Sequence, residues 1–337
     1  MLYMKISNYE YKLIEILSRN SREAYSSIAK KLRSSRQIVS YTIESLKKKN
    51  IINQFYSIIN FAKLGYTSYR IMLSFTKITN TKKKEIISSL NKDNVLWIAE
   101  CGNKWDIIIN YLSKDNLDIY NFINSLKNKY SNNIKDYNVL LFVQAQELYN
   151  KKDSNDFGSS KEIINIDRID SGVLRILAKD SKSKSVDIAK KLGITPNTVI
   201  SRIKGLESKK IILDYSVLIN LENINEYKYK FLIKFSKLSN DNEKNILSYL
   251  KNKIDIVGVI KFVGNWDYEI ELKGKSVKDI LDVSEEVRDR FKEVIVDFEI
   301  LPLYHEYRYC FFSGWLKQNF IYLGQVPPRK PYIKQSC

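Results

Sequence analysis

The amino-acid sequence predicts an α+β protein of two tandem modules, each a winged helix-turn-helix followed by a ferredoxin-like βαββαβ domain. Three observations carry that prediction. The 337-residue chain repeats at an offset of 160: Ser27-Ile28-Ala29-Lys30-Lys31-Leu32 falls on Asp187-Ile188-Ala189-Lys190-Lys191-Leu192, and Val39, Ile43, Leu46, Ile51 and Ile52 fall on Val199, Ile203, Leu206, Ile211 and Ile212. An internal repeat means that one module must be explained, and then why the chain carries two. Within each copy, apolar residues first recur at helical spacing around a short turn and then alternate at strand spacing. Positive charge gathers in the helical part of both copies.

The helical part is clearest in the second copy. Val173-Leu174, Ile176-Leu177, Ile188-Ala189 and Leu192 predict helices at about 168–179 and 185–192. Gly193 ends the second, because glycine tolerates the left-handed conformation of a C-terminal cap. Thr195 caps the next helix and Pro196 fits its first position, where a missing N–H costs nothing. That helix runs to about Lys209 with Val199, Ile203 and Leu206 inward. Helix, short turn and helix make the helix-turn-helix pattern, and the alternating residues Ile211-Ile212 and Tyr215 to Ile219 are expected to form a wing. With Val199 inward, Asn197, Ser201 and Lys204 point outward, Thr198 lies on the flank and Arg202 lies near the core stripe. Short polar side chains at the start of such a helix can approach base edges, and a lysine can reach phosphate.

In the first copy, Ile14, Ile16-Leu17, Ile28-Ala29, Leu32, Val39, Ile43 and Leu46 keep the frame, and Ser34 or Ser35 caps the third helix. Gln37, Tyr41 and Glu44 point outward, with Arg36 and Ser40 nearby and Lys47, Lys48 and Lys49 following. Arg33 stands where Gly193 does, Glu44 where Lys204 does and Thr42 where Arg202 does. A carboxylate facing DNA repels phosphate but can accept from a cytosine amino group. The DNA-binding candidates are Arg36, Gln37, Ser40, Tyr41, Lys47, Lys48, Asn197, Thr198, Ser201, Arg202 and Lys204.

The second part of each copy alternates strands and helices as β-α-β-β-α-β. In the first copy the strands are expected at 69–77, 95–101, 105–112 and 134–143, with helices at 81–91 and 115–130. The second copy repeats the order, with strands at 228–238, 256–263, 265–272 and 294–301 and helices at 241–250 and 277–291. Between the middle strands stand Gly102-Asn103-Lys104-Trp105-Asp106 and Gly264-Asn265-Trp266-Asp267, the second one residue shorter. Gly-Asn signals a tight hairpin with positive φ. Exposed backbone N–H groups beside a carboxylate also make Gly102, Asn103, Asp106, Gly264, Asn265 and Asp267 the effector-binding candidates.

The expected domains are 1–60 and 165–220 for the helix-turn-helix units, and 61–149 and 221–308 for the ferredoxin-like units. A linker at 150–164 and an aromatic and basic tail at 309–337 complete the chain. Residues 1–60 hold 11 basic and 4 acidic side chains, residues 165–220 hold 11 and 6, and residues 221–308 hold 15 and 17. About a third of the chain thus carries most of the net charge of +18, which points to a polyanionic partner. No window reaches the roughly 18 apolar residues of a membrane span. Cys101, Cys310 and Cys337 lack metal-ligand or disulfide spacing, so a reducing cytoplasm is the expected compartment.

A basic winged helix-turn-helix followed by β-α-β-β-α-β with a Gly-x-x-Asp hairpin resembles the Lrp/AsnC, or feast/famine, family of transcription regulators. The resemblance covers roughly 9–148 and 167–308. It is carried by Ile176-Leu177, Asp187 to Thr195, Thr198-Val199, Arg202-Ile203, Leu206-Glu207, Ile211-Ile212 and Gly264 to Asp267. It implies sequence-specific binding of double-stranded DNA, an amino acid or other small effector near the hairpin, and pairing of the second domains. That family usually has one module per chain, so two fused modules imply an intrachain pseudo-dimer, with further homo-oligomers as an additional expectation.

Two other classes are open. A low-specificity architectural DNA binder fits the lysine content. Siroheme decarboxylases resemble this architecture, but acid-base work on a carboxylate side chain calls for His and Arg in a pocket. The single histidine, His305, lies past the last expected strand beside Tyr304 and reads as a surface or packing residue. No catalytic triad, metal cluster or phosphate-cradling loop can be assembled. The expectation is therefore a regulator that is not an enzyme, with no cofactor and no metal.

Overall fold

The computed structural model describes residues 6–90, 93–147, 157–158, 160, 162–253 and 255–312. Trp315, Phe320, Tyr322 and the basic stretch 327–331 of the expected tail lie outside the described residues, as does most of the expected linker.

Head one comprises α1 (Asn8–Arg19), α2 (Tyr25–Lys31), α3 (Arg36–Lys48) and β1 (Ile52–Ile59). The first sheet unit follows as β2 (Thr67–Phe75), α4 (Asn80–Ser89), β3 (Val95–Cys101), β4 (Ile107–Ser113), α5 (Asn116–Lys129) and β5 (Ile134–Glu147), with the short β6 (Phe157–Gly158). Head two is α6 (Arg168–Lys179), α7 (Ser185–Leu192), α8 (Pro196–Ser208) and β7 (Ile212–Ile219). The second sheet unit is β8 (Tyr227–Phe235), α9 (Asn240–Lys251), β9 (Ile256–Val263), β10 (Tyr268–Gly274), α10 (Val277–Arg290) and β11 (Ile295–Tyr309).

Local chemistry sets the helix ends. At α1, Ser7 accepts from the Glu10 N–H while the Glu10 carboxylate accepts from the Ser7 N–H, so each satisfies an otherwise unpaired donor. Ser35 starts α3 and Thr195 starts α8, each accepting from the N–H three residues on at 3.2 Å. Gly193 ends α7 at φ 67°. Arg33 takes the same left-handed conformation at φ 51°, without glycine's freedom from steric cost.

The strand expected to complete each wing is present, and its partner comes from the other copy. β1 pairs antiparallel with β7, Phe55 opposite Val217 and Ser57 opposite Tyr215. A single strand leaves a row of backbone N–H and C=O groups unpaired, and this shared ribbon satisfies them. Each head's core consequently crosses the repeat: Val217 and Ile224 join Leu13, Leu17, Val39 and Ile43, while Ile59 joins Val173, Leu177, Val199 and Ile203.

The sheets also cross. The strand order is β2-β4-β3-β11-β8-β10-β9-β5, and β5 pairs back onto β2, so eight strands close into a ring. Helices α4 and α5 cover the outer face over Ile71, Leu73, Ile107 and Ile109, and α9 and α10 cover Phe231, Ile233 and Ile270. Met72, Trp97, Trp105, Leu140, Leu232, Phe262 and Trp266 fill the interior from both copies. The last strand of each unit runs well past its expected end. β5 reaches Glu147 and β11 reaches Tyr309, because their extensions pair with β9 and β3 of the other unit. His305 therefore lies within β11 opposite Glu100, not beyond the strand. Cys101 is a buried free thiol, and Cys337 lies outside the described residues.

Inside the ring, Arg70 of the first unit donates to both carboxylate oxygens of Glu269 of the second, at 3.0 and 2.9 Å. Lys230 reaches the same carboxylate at 3.0 Å, and Glu269 is 1% exposed. Such a pair adds little over a well-packed apolar substitute, but it fixes how the two units register, since either charge alone would be buried without a partner.

Candidate DNA-facing helices and an interdomain cavity

On α8, Asn197, Ser201 and Lys204 are exposed, as expected for a helix face turned to a partner. Thr198 is half-buried with its hydroxyl 2.8 Å from that of Thr195. Arg202 is engaged within head two, 2.5 Å from Asp167 and 3.2 Å from Asp170 at the start of α6. Against a burial penalty, the Asp170 N–H and Arg202 hold the Asp167 carboxyl below its usual range. On α3, Arg36, Gln37 and Lys48 are exposed, Ser40 is half-buried and Tyr41 is 78% exposed. Glu44 is paired with Lys47 at 2.9 Å, and the Lys47 ammonium also lies over the Phe55 ring. Thr42 turns inward and donates to the Ile38 carbonyl.

The turn between the first two helices of each head carries no sequence motif, yet it ties the heads together. Ser21 and Ser181, 160 positions apart, meet at 2.7 Å between hydroxyls. The Ser21 N–H donates to the Tyr215 carbonyl, and the Ser181 N–H donates to that of Phe55. Arg22 lies over Tyr215, and its repeat equivalent Lys182 lies over Tyr25 and Phe55. Burial, helped by the charge of Lys47, pushes the Lys182 ammonium down to about 8. Two buried serines in polar turns at the repeat offset were the available signal.

The hairpins lie at the seam between the copies. Asp106 accepts from the Phe75 N–H at 2.7 Å and Asp267 from the Phe235 N–H at 2.8 Å, so both carboxylates hold their own strands together. Gly102 is buried against Tyr304 and Pro302, whereas Gly264 is exposed and lies beside Leu140. Asn103 donates to the Ile300 carbonyl, while Asn265 is exposed. The two hairpins are equal in length, not one residue apart: Cys101 N–H bonds Asp106 O, and Phe262 N–H bonds Asp267 O. The left-handed residue is Asn103 in one and Gly264 in the other, so the Gly-Asn pair has slipped by one position.

A cavity of about 840 Å³ lies away from the hairpins, between the open end of the ring and the β1–β7 ribbon. Arg70, Lys228, Lys230, Glu271, Glu306 and Tyr309 contribute to its floor, and Tyr56 to Ile59 and Ser216 to Ile219 to its roof. Lys228 lies 3.2 Å from Glu306, and Lys230 lies 2.5 Å from Glu271. Burial works against the charge of Glu271, but Lys230 and Lys228 hold its carboxyl down at about 2.

Residues 166–207 match the AsnC-type helix-turn-helix domain. The chain is 32% identical over 129 residues to the uncharacterized HTH-type transcriptional regulator PH0061 of Pyrococcus horikoshii, covering 38% of this chain and 86% of that protein. It is 24% identical over 119 residues to the regulatory protein AsnC of Haemophilus influenzae, covering 35% of this chain and 79% of that one. Among solved structures, the siroheme decarboxylase NirDL matches with a TM-score of 0.62 at 15% identity, covering 92% of this chain and 98% of that one. The expectation that the chain is not an enzyme is corrected by that match. The architecture spanning nearly its whole length is shared with an enzyme, and helix-turn-helix units in a fused pair do not by themselves exclude catalysis. No helix among the described residues is long and apolar enough to cross a membrane.

Proposed function

Because the chain belongs to the Lrp/AsnC family of transcription regulators, we propose that it binds double-stranded DNA through α3 and α8 as an intrachain pseudo-dimer with two unequal reading heads. One observation carries this reading. The heads share a core frame and a common ribbon, yet they present Gln37, Tyr41 and the Glu44–Lys47 pair on one side and Asn197, Ser201 and Lys204 on the other. Phosphate contacts position such a helix and base contacts specify its site, so unequal outer faces select unequal half-sites.

Selection of binding sites in vitro at about physiological salt tests the proposal. The expected outcome is a bipartite site with dissimilar halves. A strictly palindromic consensus overturns the unequal-head reading, and strong salt dependence without sequence preference replaces it with low-specificity architectural binding. Control by an amino acid or other small effector belongs to the same proposal, and the hairpin carboxylates, held by backbone N–H groups, are poorly placed to receive it.

The cavity and the chain-long likeness to siroheme decarboxylase favour a second reading, chemistry on a tetrapyrrole substrate. Its fit is partial: Arg70 and three lysines line the cavity, whereas His305 is exposed on β11 and does not line it. A shift of the siroheme Soret band on mixing, lost with a cavity-filling variant, is the outcome this reading requires.

A further inference from the structure

We propose that Ile38 and Tyr41 make an apolar edge on α3 that reads the C5-methyl groups of thymine, so that head one takes a thymine-bearing half-site. This deepens the reading of α3 as a DNA-binding helix and rests on it.

Helix geometry brings the pair together. Residues three apart lie about 60° apart round a helix and are neighbours on its surface. With Val39 in the core, Tyr41 points away from it beside Gln37, and Ile38 lies on the flank next to Tyr41. Ile38 is 49% exposed and Tyr41 is 78% exposed. Single exposed apolar side chains are ordinary on a protein surface, but two neighbours on one helix face form a patch. Other tyrosines around head one are taken up in packing. The Tyr9 hydroxyl meets that of Ser34, Tyr25 lies under Lys182, and Tyr56 stacks on Phe311. Tyr41 projects into solvent instead.

Charge says what covers the edge. Residues 1–60 hold 11 basic and 4 acidic side chains, and Arg36 and Lys48 are exposed at the two ends of α3 itself. Glu44, the single carboxylate of that helix, is held by Lys47. A surface of this sign draws a polyanion, and basic ends contact phosphate while the middle of the helix faces base edges. The apolar group on a base edge in the major groove is the thymine methyl, which matches an apolar side chain.

Head two lacks the edge. The repeat puts Thr198 and Ser201 at these two positions. Thr198 is half-buried with its hydroxyl against that of Thr195, and Ser201 is too short and polar to cover a methyl. The exposed aliphatic of α8, Ile200, stands where the first copy has Ser40, on the opposite flank of the helix. The methyl preference therefore belongs to one half of the bound site.

The test uses the full-length chain and the DNA it selects in vitro. Deoxyuridine replaces thymine in one half of the site at a time, which removes the methyl and keeps the base pair. Each methyl taken out of water corresponds to about fourfold in affinity. With one or two methyls covered, the expected loss is about four- to fifteenfold in one half-site and under about twofold in the other. Ile38→Thr with Tyr41→Ser installs the residues that the second copy carries in the same frame, and it should bring the sensitive half to under about twofold. Tyr41→Phe keeps the ring and should keep the full loss. A selected site without thymine, no loss in either half, equal losses in both, or a loss that survives the double exchange overturns the proposal. A chain that selects no DNA at all removes the reading of α3 as well, so the two failures are told apart.

Discussion

Head two meets the first sheet through Tyr66, Leu96 and Leu112, which continue its own core into the sheet, while head one meets the second sheet through the polar set Tyr11, Glu226 and Lys273, and one cavity is lined from both places. The backbone frames are the same, and the ribbon joins both. The contrast arises from a handful of exchanges at equivalent positions: tyrosine to Glu226, leucine to Lys273, and Leu174 to Ile14. Apolar surface removed from water stabilises at about 25 cal/mol per Å², so a sealed contact holds head two down. Paired charges roughly offset their own desolvation, so the polar contact under head one contributes less. A duplication thus yields an apolar seat for one head and a more polar seat for the other without any change of fold.

The comparison can be broken at its shared foundation first. Glu269→Ala leaves Arg70 buried without its carboxylate, and unfolding in urea should show a loss of about 3–5 kcal/mol, with both heads affected together. A loss confined to one half would mean that the ring does not couple the copies. The sharper test sets the two interfaces side by side. Leu174→Ala opens a void in the sealed core and should destabilise by about 2–5 kcal/mol, whereas Ile14→Ala, already beside the cavity, should cost under about 2 kcal/mol by the same measurement. Equal losses would remove the distinction between the heads.

Acid should act on the cavity side. The Glu271 carboxyl is held at about 2 in the folded protein, below its unfolded value of about 4.5. The folded state therefore binds fewer protons, so this stabilisation is full above about pH 4.5 and is lost as pH falls towards 2. Its size is on the order of 3 kcal/mol, and Glu271→Gln should flatten the acid limb of stability against pH. The smallest effect belongs to the turns. Arg33→Gly relieves a left-handed residue in head one and should raise its thermal midpoint, by about 0.5–1 kcal/mol in stability, whereas Gly193→Arg in head two should lower stability. Opposite signs would show that Arg33 makes a contact worth more than its strain.

Much of this architecture was legible in the residues. Helix starts at Ser35 and Thr195, the cap at Gly193 and the inward stripes of α3 and α8 follow from local hydrogen bonding and periodicity, which act within a few positions of chain. The overruns of β5 and β11 were not legible, because only strands from the other copy give those residues partners. Arg202 illustrates the same limit at the candidate site. Its place beside the recognition face was readable, but its capture by Asp167 and Asp170 needed α6 to be laid against α8.

The sequence by itself determined a doubled α+β chain, two basic helix-turn-helix frames alike inside and different outside, and hairpins at Trp105 and Trp266. Periodicity and capping are local, and a duplicated pattern repeats them wherever it occurs. The tertiary structure alone decided that the wing is a ribbon shared between copies, that eight strands close into a ring, and that a cavity opens between the ring and the ribbon. Those features depend on which side chains meet across about 160 residues of chain, and a single exchange such as Leu112 to Lys273 turns a packed contact into a polar one without altering the periodicity that predicts the strand.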